Sequence, residues 1–193
     1  MKKILLLIIL FTGVYMHAQK NVTLFFRNGD SLKVISYVSS GMTTIKYRIS
    51  EDSKKIKVDY KKVKKVVRYF KSDSTTYTYK IKKGYTTPIL LEQVASGKMY
   101  LYRFNFTRNS NFGNDMSMSS NHSEYYICKE DKDVVITFNA SGIFIENSFR
   151  KKSKIIFKDC PALLKKILDK TWKMKNIPEI VEYYNNQCTS IEE

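Results

Sequence analysis

The chain is poor in the residues that most enzymes and metal sites use. It has two histidines and three cysteines among 193 residues, and of the histidines only His122 lies beyond the first eighteen positions. It has no G-x-S-x-G, H-E-x-x-H or paired C-x-x-C motif, and no G-x-G-x-x-G or Walker loop. These absences argue against the common serine hydrolases, zinc sites, thioredoxin-type centres and nucleotide-phosphate sites. We therefore predict no catalytic residue, no metal ligand and no cofactor.

Two catalytic alternatives stay open from the residue types alone. His122 and Cys128 would form a nucleophilic dyad if the fold joined them. A glycosidase would instead need two carboxyl groups roughly 5 to 10 Å apart. The acidic residues on or beside predicted strands are scattered, and their spacing selects no pair: Asp30, Asp59, Glu92, Glu124 and Glu146. A hydrolase acting on an envelope or environmental polymer through paired carboxylates is therefore the alternative to a binding protein.

The amino-terminal eighteen residues have the layout of a secretory signal peptide. Lys2 and Lys3 supply a positive start, and residues 4–11 are an unbroken apolar run. The run is shorter than the about 20 residues that a membrane-spanning helix needs. Ala18 offers a small residue for cleavage. We predict cleavage after Ala18 and export to the periplasm or the medium, with no transmembrane segment left; an uncleaved anchor is the alternative.

Positive charge dominates the predicted mature chain. Without Lys2 and Lys3 it holds 32 basic and 18 acidic residues, a net charge of +14. Only six basic residues are arginine, whose bidentate fork is favoured in reading bases and phosphates. Export and this composition argue against nucleic acid as the partner. They leave solubility, an anionic envelope glycan or another envelope protein as the explanation for the charge.

Residues 54–71, KKIKVDYKKVKKVVRYFK, concentrate this charge. Read as a strand, Lys62, Lys64 and Arg68 project to one side, while Val63 and Val67 project to the other. The pattern predicts a candidate polyanion-binding face. The favoured interpretation is instead a solvated face, or a sheet edge that lysines protect from aggregation.

Alternation of apolar and polar residues predicts β structure over residues 19–146. A turn at Asn28-Gly29 joins the first two strands. Further strands are predicted at 43–49, 56–60, 63–69, 75–82, 89–94, 99–106, 124–129, 134–138 and 143–145. They favour an antiparallel meander that curls into a barrel-like or sandwich-like sheet. The polar residues 107–123 are predicted to form a long mobile loop.

Helical spacing replaces the alternation in residues 147–193. The first helix is predicted to begin at Asn147 or Ser148. Its shared face would contain Phe149, Ser153, Ile156 and Phe157. Two more helices follow, so runs of strands give way to runs of helices, which indicates the α+β class.

Cys160 and Cys188 flank those two helices. Pro161 suits the first turn of one of them, with Asp159 or Cys160 as its cap, and Asn176 can cap the other. The stripe of the second helix that ends at Cys188 contains Ile177, Ile180, Val181 and Tyr184. An antiparallel helix pair brings the end of the second near the start of the first. We therefore predict a Cys160–Cys188 disulfide, with two separate buried thiols as the alternative.

Cys128 is then left as a free thiol on a predicted strand. An odd cysteine in an exported chain is either a reactive thiol, an intermolecular link or a buried and inert residue. The buried and inert residue is the favoured interpretation, because a free cysteine is commonly part of the core.

Four stretches of the chain form a recognisable combination. They are the leader ending HAQ, VTLFFRNGDSLK at 22–33, GKMYLYR at 97–103, and a tail running from FKDCPALLKKI to IPEIVEYYNNQC. Together they resemble uncharacterised secreted proteins of Bacteroidetes, especially flavobacteria. The resemblance covers nearly the whole chain and is most specific between Asp159 and Cys188. It implies export and a β-rich body with a helical tail, and it implies no activity.

The sequence thus predicts an exported, non-enzymatic, β-rich binding or envelope-associated protein of unknown ligand. The polymer hydrolase is one alternative. The other is a structural or assembly factor that joins a partner chain through a sheet edge or Cys128.

Overall fold

The computed structural model describes residues 22–39, 43–112, 116–138 and 145–188. The predicted signal peptide and its cleavage site lie outside these ranges. Within them, eleven β-strands precede three α-helices, so the predicted α+β class is confirmed. The strands are β1 (Val22–Phe26), β2 (Ser31–Val34), β3 (Ser36–Ser39), β4 (Thr44–Arg48), β5 (Ile56–Asp59), β6 (Val63–Phe70), β7 (Asp73–Lys82), β8 (Pro88–Ala95), β9 (Met99–Phe112), β10 (Met116–Lys129) and β11 (Val134–Thr137).

Five consecutive strands, β7 to β11, close into a barrel. Each pairs antiparallel with the next, and β11 also pairs with β7 through Val134 opposite Ile81 and Val135 opposite Lys82. The closing pair is parallel because five alternating strands leave the first and the last running in the same direction. The buried interior cluster consists of Leu91, Tyr102, Tyr126, Cys128 and Val135. The predicted barrel-like meander is therefore present.

The strands β6, β1 and β2 extend the sheet beyond β7, and β3, β4 and β5 form a separate three-stranded sheet. A second core joins these two sheets around Val22, Leu24, Val34, Ile45, Val63, Val66 and Tyr79. Within β6 the register shifts, since Phe25 faces Lys65 while Phe26 faces Val63. This bulge leaves Lys64 as an extra residue and allows Val63 and Val66 to face the same core.

The helices are α1 (Ile145–Ile156), α2 (Pro161–Leu168) and α3 (Ile177–Gln187). They cover the outside of the barrel, where Met99, Leu101 and Ile127 meet the buried faces of the helices. The predicted face of α1 is confirmed, and the buried Ser153 hydroxyl donates to the Phe149 carbonyl at 2.9 Å. The stripe Ile177, Ile180, Val181, Tyr184 and Cys188 is buried as predicted.

The predicted disulfide between Cys160 and Cys188 is confirmed, with Cα atoms 5.5 Å apart. It joins the residue before α2 to the residue after α3. The end of α3 also contacts the turn between β8 and β9, where the Asn185 side chain accepts from Met99 N at 2.8 Å and donates to Met99 O at 2.9 Å. Gly97 is required in this turn, because a Cβ there would lie 2.8 Å from Asn185 Cγ. The disulfide thus joins the two ends of the helical hairpin, and the Asn185 hydrogen bonds attach the hairpin to the barrel.

Three details of the predicted organisation are wrong. Residues 107–112 and 116–123 belong to β9 and β10 and pair with each other, so the loop predicted over 107–123 is a β-hairpin. Polarity misled the prediction, because strands that pair without a buried face need no apolar alternation. The first helix begins at Ile145, before the predicted caps Asn147 and Ser148. Of the strand predicted at 143–145, Ile145 is helical and the other two residues lie outside the described ranges.

Candidate functional site

A cationic groove lies between the β1–β2 turn and the short 3₁₀ turn that precedes β6. It has a volume of about 450 Å³ and is lined by Phe26, Arg27, Asn28, Lys61 and Lys62. No carboxylate is among these lining residues. We call this site the cationic groove. Its two walls come from sequence segments more than thirty positions apart, and each wall supplies positive charge.

The turn that forms the first wall follows from its sequence. Asn28 and Gly29 occupy the tip, and Gly29 has a φ of 97°, which favours glycine. The Asn28 amide donates to Asp30 Oδ2 at 2.6 Å, and Phe26 N donates to Asp30 O at 2.8 Å. Asp30 is therefore used to hold the turn closed. The predicted Asn28-Gly29 hairpin is confirmed by the pairing of β1 with β2.

The second wall is a 3₁₀ turn, Tyr60–Lys62. Asp59 caps it by accepting from Lys61 N at 2.8 Å. A backbone hydrogen bond of 2.9 Å from Arg27 N to the Lys62 carbonyl joins the two walls. This bond places the arginine and the two lysines around one opening, although each side chain is exposed or half-exposed.

A second groove shares Arg27 and Lys61 with the first. Its volume is about 280 Å³, and it is further lined by Tyr60, Tyr79, Ile81, Pro88 and Asp133. The rings of Tyr60 and Tyr79 contact with centroids 5.4 Å apart. Asp133 approaches Arg27 at 3.9 Å in an exposed ion pair. The continuous depression therefore has a cationic end at Lys61 and Lys62 and a more aromatic end that carries one carboxylate.

The face predicted from Lys62, Lys64 and Arg68 does not exist as a single surface. Lys62 lies in the 3₁₀ turn rather than in β6. The bulge at Lys64 breaks the alternation that the prediction assumed. Arg68 lies over the Tyr77 ring at 5.5 Å and is half-buried. Of the three predicted residues, only Lys62 lines the cationic groove.

A second polar cluster lies at one end of the barrel. Lys80 is 2% exposed, and its ammonium donates to Asp131 Oδ1 at 2.6 Å and to the Lys132 carbonyl at 2.7 Å. The Tyr102 hydroxyl donates to the same Asp131 oxygen at 3.0 Å. Asp131 itself is 58% exposed, so one partner is buried and the other is hydrated. The cluster neutralises a charge inside the barrel.

The acidities in this cluster follow from burial and from the ion pair. Burial disfavours the Asp131 carboxylate, but its hydrogen bond and attraction to Lys80 outweigh this and lower its pKa. Burial, and then the neighbouring Asp131 charge, raises the pKa of Tyr102 well above its ordinary value. Tyr102 is therefore a neutral donor at any physiological pH, and Asp131 stays ionised.

Cys128 lies in the barrel interior and is a free, buried thiol. Its Sγ lies 3.8 Å from the Lys132 carbonyl oxygen, and burial raises the pKa of the thiol. The reactive species of cysteine is the thiolate. This environment favours the inert alternative over the reactive or intermolecular one.

Native protein is accordingly expected to resist alkylation at Cys128. With no reductant present, iodoacetamide should add one group only after denaturation, because reaction must await opening of the barrel. Intact-mass spectrometry over time should show labelling at least about 100-fold slower in buffer than in denaturant. Labelling of the native protein at the denatured rate would show an accessible thiolate.

The catalytic alternatives find little geometric support. His122 stacks on Phe106 with centroids 5.5 Å apart, on the β9–β10 hairpin beyond the barrel. Cys128 is inside the barrel, six residues along the same strand, so the strand rise alone separates the two by about 20 Å. The structure does not bring His122 and Cys128 together.

The five candidate carboxylates make separate structural contacts. Glu92 forms a two-bond ion pair with Arg103, at 3.2 and 2.6 Å. Glu124 accepts from the Tyr126 hydroxyl, and Glu146 accepts from Met174 N at 3.3 Å. Asp30 and Asp59 hold the two walls of the cationic groove. Each carboxylate therefore serves a different part of the fold.

Sequence reasoning missed most of the groove. Arg27 lies in a segment interpreted only as a hairpin, and Tyr60 and Lys61 lie in the basic segment 54–71 but not among the residues predicted for its face. The combination of Arg and Asn at a hairpin tip with a Lys-Lys pair just before a strand is a usable signal, but nothing in the spacing places the two segments side by side. Lys80 was also missed, since a charged residue inside a barrel has no apolar signature.

Comparisons with known protein families, with curated proteins and with solved structures found no match to this chain. In the described part of the chain, no group of three or more His, Cys, Asp or Glu side chains is placed to hold a metal ion. No helix among the described residues is long and apolar enough to cross a membrane.

Proposed function

We propose that the protein is exported through its amino-terminal leader and binds anionic groups of an envelope polymer in the cationic groove, without catalysing a reaction. The observation that carries the proposal is the convergence of Arg27, Lys61 and Lys62 on one opening of about 450 Å³. These side chains suit carboxylate, sulfate or phosphate groups on a glycan, because each offers charge-assisted donors.

The rigidity of the two walls supports binding at this site over diffuse attraction to a basic surface. The turn held by Asp30, the Asp59 cap and the Arg27–Lys62 backbone bond fix the positions from which the cationic side chains extend. Ordering only side chains on a fixed backbone lowers the entropic cost of binding. The adjoining Tyr60 ring, which packs on the buried Tyr79, supplies an aromatic surface next to the charges, which suits a sugar ring.

The position of Asp133 predicts the direction in which the ligand lies. This carboxylate borders the aromatic end and approaches Arg27, so an anionic group is repelled there and attracted at Lys61 and Lys62. The polymer would therefore place its charged group at the cationic end and an uncharged ring face at the tyrosines.

Removing the groove charges is expected to weaken binding of a charged glycan. The variant Arg27→Ala/Lys61→Ala/Lys62→Ala should bind heparin, used as a sulfated and carboxylated probe, at least about tenfold more weakly than the wild type. That ratio corresponds to about 1.4 kcal/mol. Titration calorimetry at fixed salt measures the change, since salt screens such contacts.

The matched control removes three exposed lysines from the helical region: Lys154→Ala/Lys158→Ala/Lys165→Ala. It has the same net charge as the groove variant, so general attraction to a cationic protein falls equally in both. Dextran serves as the neutral probe and should bind neither protein. Equal losses of heparin affinity in the two variants would contradict a specific groove.

A further inference from the structure

The β9–β10 hairpin extends beyond the barrel as a two-stranded arm, which we define as residues 104–112 and 116–124. Arg103 is the last β9 residue that pairs with β8, and β11 pairs with β10 only at Tyr126 and Ile127. Among the described residues, no third strand pairs with either side of the arm. A ribbon of two strands without a packed face is marginally stable alone in water.

One face of the arm is held by three successive side-chain hydrogen bonds between its strands. Ser123 donates to Asn105 at 2.7 Å, Thr107 to Asn121 at 2.9 Å, and Ser119 to Asn109 at 2.6 Å. The other face carries the stacked rings of Phe104, Phe106 and His122, with centroids 6.0 and 5.5 Å apart. Phe104 is 38% exposed. These contacts fix the register of the ribbon.

The arm lacks lysine, which two other outer strands of the sheets carry. No lysine occurs between Lys98 and Lys129, in a chain with 34 Lys and Arg. Two other outer strands carry one, Lys33 in β2 and Lys57 in β5, whereas the short outer strand β3 has none. Lysine on an edge strand opposes pairing with another chain. Its absence from a long edge that no third described strand covers therefore favours such pairing.

Charge indicates a second copy of this chain as the partner. Residues 104–124 carry Arg108, Asp115 and Glu124, a net charge of −1, whereas the whole chain has +16. On β10 the arm has no Lys or Arg at all, while β9 has Arg108 at its middle. An antiparallel pair of two β10 strands centred on Ser120 would set Glu124 opposite Met116, so no like charges would face each other.

The length of the arm keeps the two cationic barrels and their helices apart when two arms pair. A nine-residue strand segment spans about 30 Å. The Debye length at physiological salt is about 8 Å, so repulsion between the two bodies is largely screened at that distance. The arm thus presents an edge without Lys or Arg, away from the charge that would keep two copies apart.

We propose that two copies of this chain associate through the β10 edges of their arms, forming a continuous four-stranded antiparallel ribbon with two-fold symmetry. The paired backbone groups supply affinity, as in other cases of strand addition. In this dimer, one barrel lies at each end of the shared ribbon. The inference stands on the arm alone and does not depend on the cationic groove.

Two matched double variants test this. Ser119→Lys/Asn121→Lys places two lysines on β10, and Thr107→Lys/Asn109→Lys places two on β9, directly across the ribbon. Each pair adds the same charge and breaks the same two side-chain hydrogen bonds. Light scattering coupled to size exclusion measures mass over a concentration series of the full mature protein.

The wild type is expected to shift from monomer to dimer as concentration rises. The β10 variant should raise the dissociation constant at least about tenfold, because its lysines would face each other across the new strand pair. The β9 variant should stay within about threefold of the wild type, since its lysines lie one strand further away. Circular dichroism confirms that all three proteins are folded.

A wild type that stays monomeric at every concentration would overturn the inference, and so would equal loss of association in both variants. Amide hydrogen exchange supplies a second readout. Association should slow exchange in β10 residues of the arm more than in β9 residues. The opposite order would show that the β9 edge, and not the β10 edge, makes the contact. The affinity of each variant for a short heparin oligosaccharide is measured in parallel. It tests the cationic groove independently of dimer formation.

Discussion

Replacing Asp131 with alanine is expected to lower the free energy of unfolding by about 3 kcal/mol, whereas Lys80→Met should lower it by about 1 kcal/mol or less. The asymmetry arises because Lys80 is 2% exposed and Asp131 is 58% exposed. Removing the carboxylate leaves a buried ammonium with one carbonyl acceptor. Removing the ammonium leaves a carboxylate that water already reaches, and methionine fills the same space in the barrel.

Urea unfolding of the two variants and of the double variant Lys80→Met/Asp131→Ala measures this difference. The double variant should be close to Lys80→Met, because no unpaired buried charge remains. Equal destabilisation by the two single variants would contradict the account of Lys80 as the buried partner. Lys64→Met changes a nearby exposed lysine and should have little effect.

The pH dependence of stability should distinguish the same variants. The folded-state pKa of Asp131 is lowered below its ordinary value of 3.8. A lowered pKa gives stability that is fully present above 3.8 and is lost as pH falls through the lower folded value. Wild type should therefore lose stability in acid more steeply than Lys80→Met, in which Asp131 has no cationic partner.

Opening the Cys160–Cys188 disulfide is expected to have an effect of similar size. The bond closes a separation of 28 residues, and loop-closure entropy then gives roughly 3 to 4 kcal/mol. For a chain of this length, such a loss lowers the melting temperature by roughly 10 °C. The double variant Cys160→Ser/Cys188→Ser should show the same loss without reductant.

Calorimetry of the wild type with and without reductant measures the contribution of the disulfide. Cys128→Ala is the matched control, since it removes the free thiol and leaves the disulfide in place. Its melting temperature should fall with reductant by the same amount as that of the wild type. A wild type whose melting temperature does not respond to full reduction would show that packing alone holds the helical hairpin.

Other contacts of the hairpin predict that reduction lowers stability without releasing the helices. Asp159, next to Cys160, accepts from Lys129 at 2.8 Å and from the Tyr184 hydroxyl at 2.7 Å. Lys98 donates to the Cys188 carbonyl at 2.7 Å. The reduced protein should therefore keep the far-ultraviolet circular dichroism of its folded state at low temperature.

The helical tail was predictable in detail because its signals are local. The apolar spacing of α3 predicts its buried face, and that face carries Cys188 toward the start of α2. Both steps depend on helical geometry within about thirty residues. The Asn28-Gly29 turn is a local signal of the same kind.

The closure of the barrel and the groove were not predictable from such signals. Pairing between β11 and β7 joins residues about fifty positions apart, and no spacing in the sequence specifies it. The bulge at Lys64 shifts every later side chain in β6 relative to simple alternation, which is why the predicted Lys62, Lys64 and Arg68 face failed. The arm was taken for a loop because its strands obtain their register from Asn, Ser and Thr contacts rather than from a buried face.

The arm and the groove together suggest how the proposed binding could gain strength. Two bodies on one dimer would present two cationic grooves to the same polymer. Binding at the second groove would then be intramolecular, so overall affinity exceeds that of one groove without any new contact. Heparin chains long enough to reach both grooves should therefore bind more tightly than chains that reach only one groove.

Locating the bound anion tests the central claim most directly. Amide NMR spectra of the isotope-labelled protein without residues 1–18 would be followed during titration with a defined heparin oligosaccharide. The account predicts that the largest shift changes fall on Arg27, Asn28, Lys61 and Lys62, with smaller changes at Tyr60 and Tyr79. Changes spread evenly over the lysine-rich surface, or centred on the helices, would contradict it.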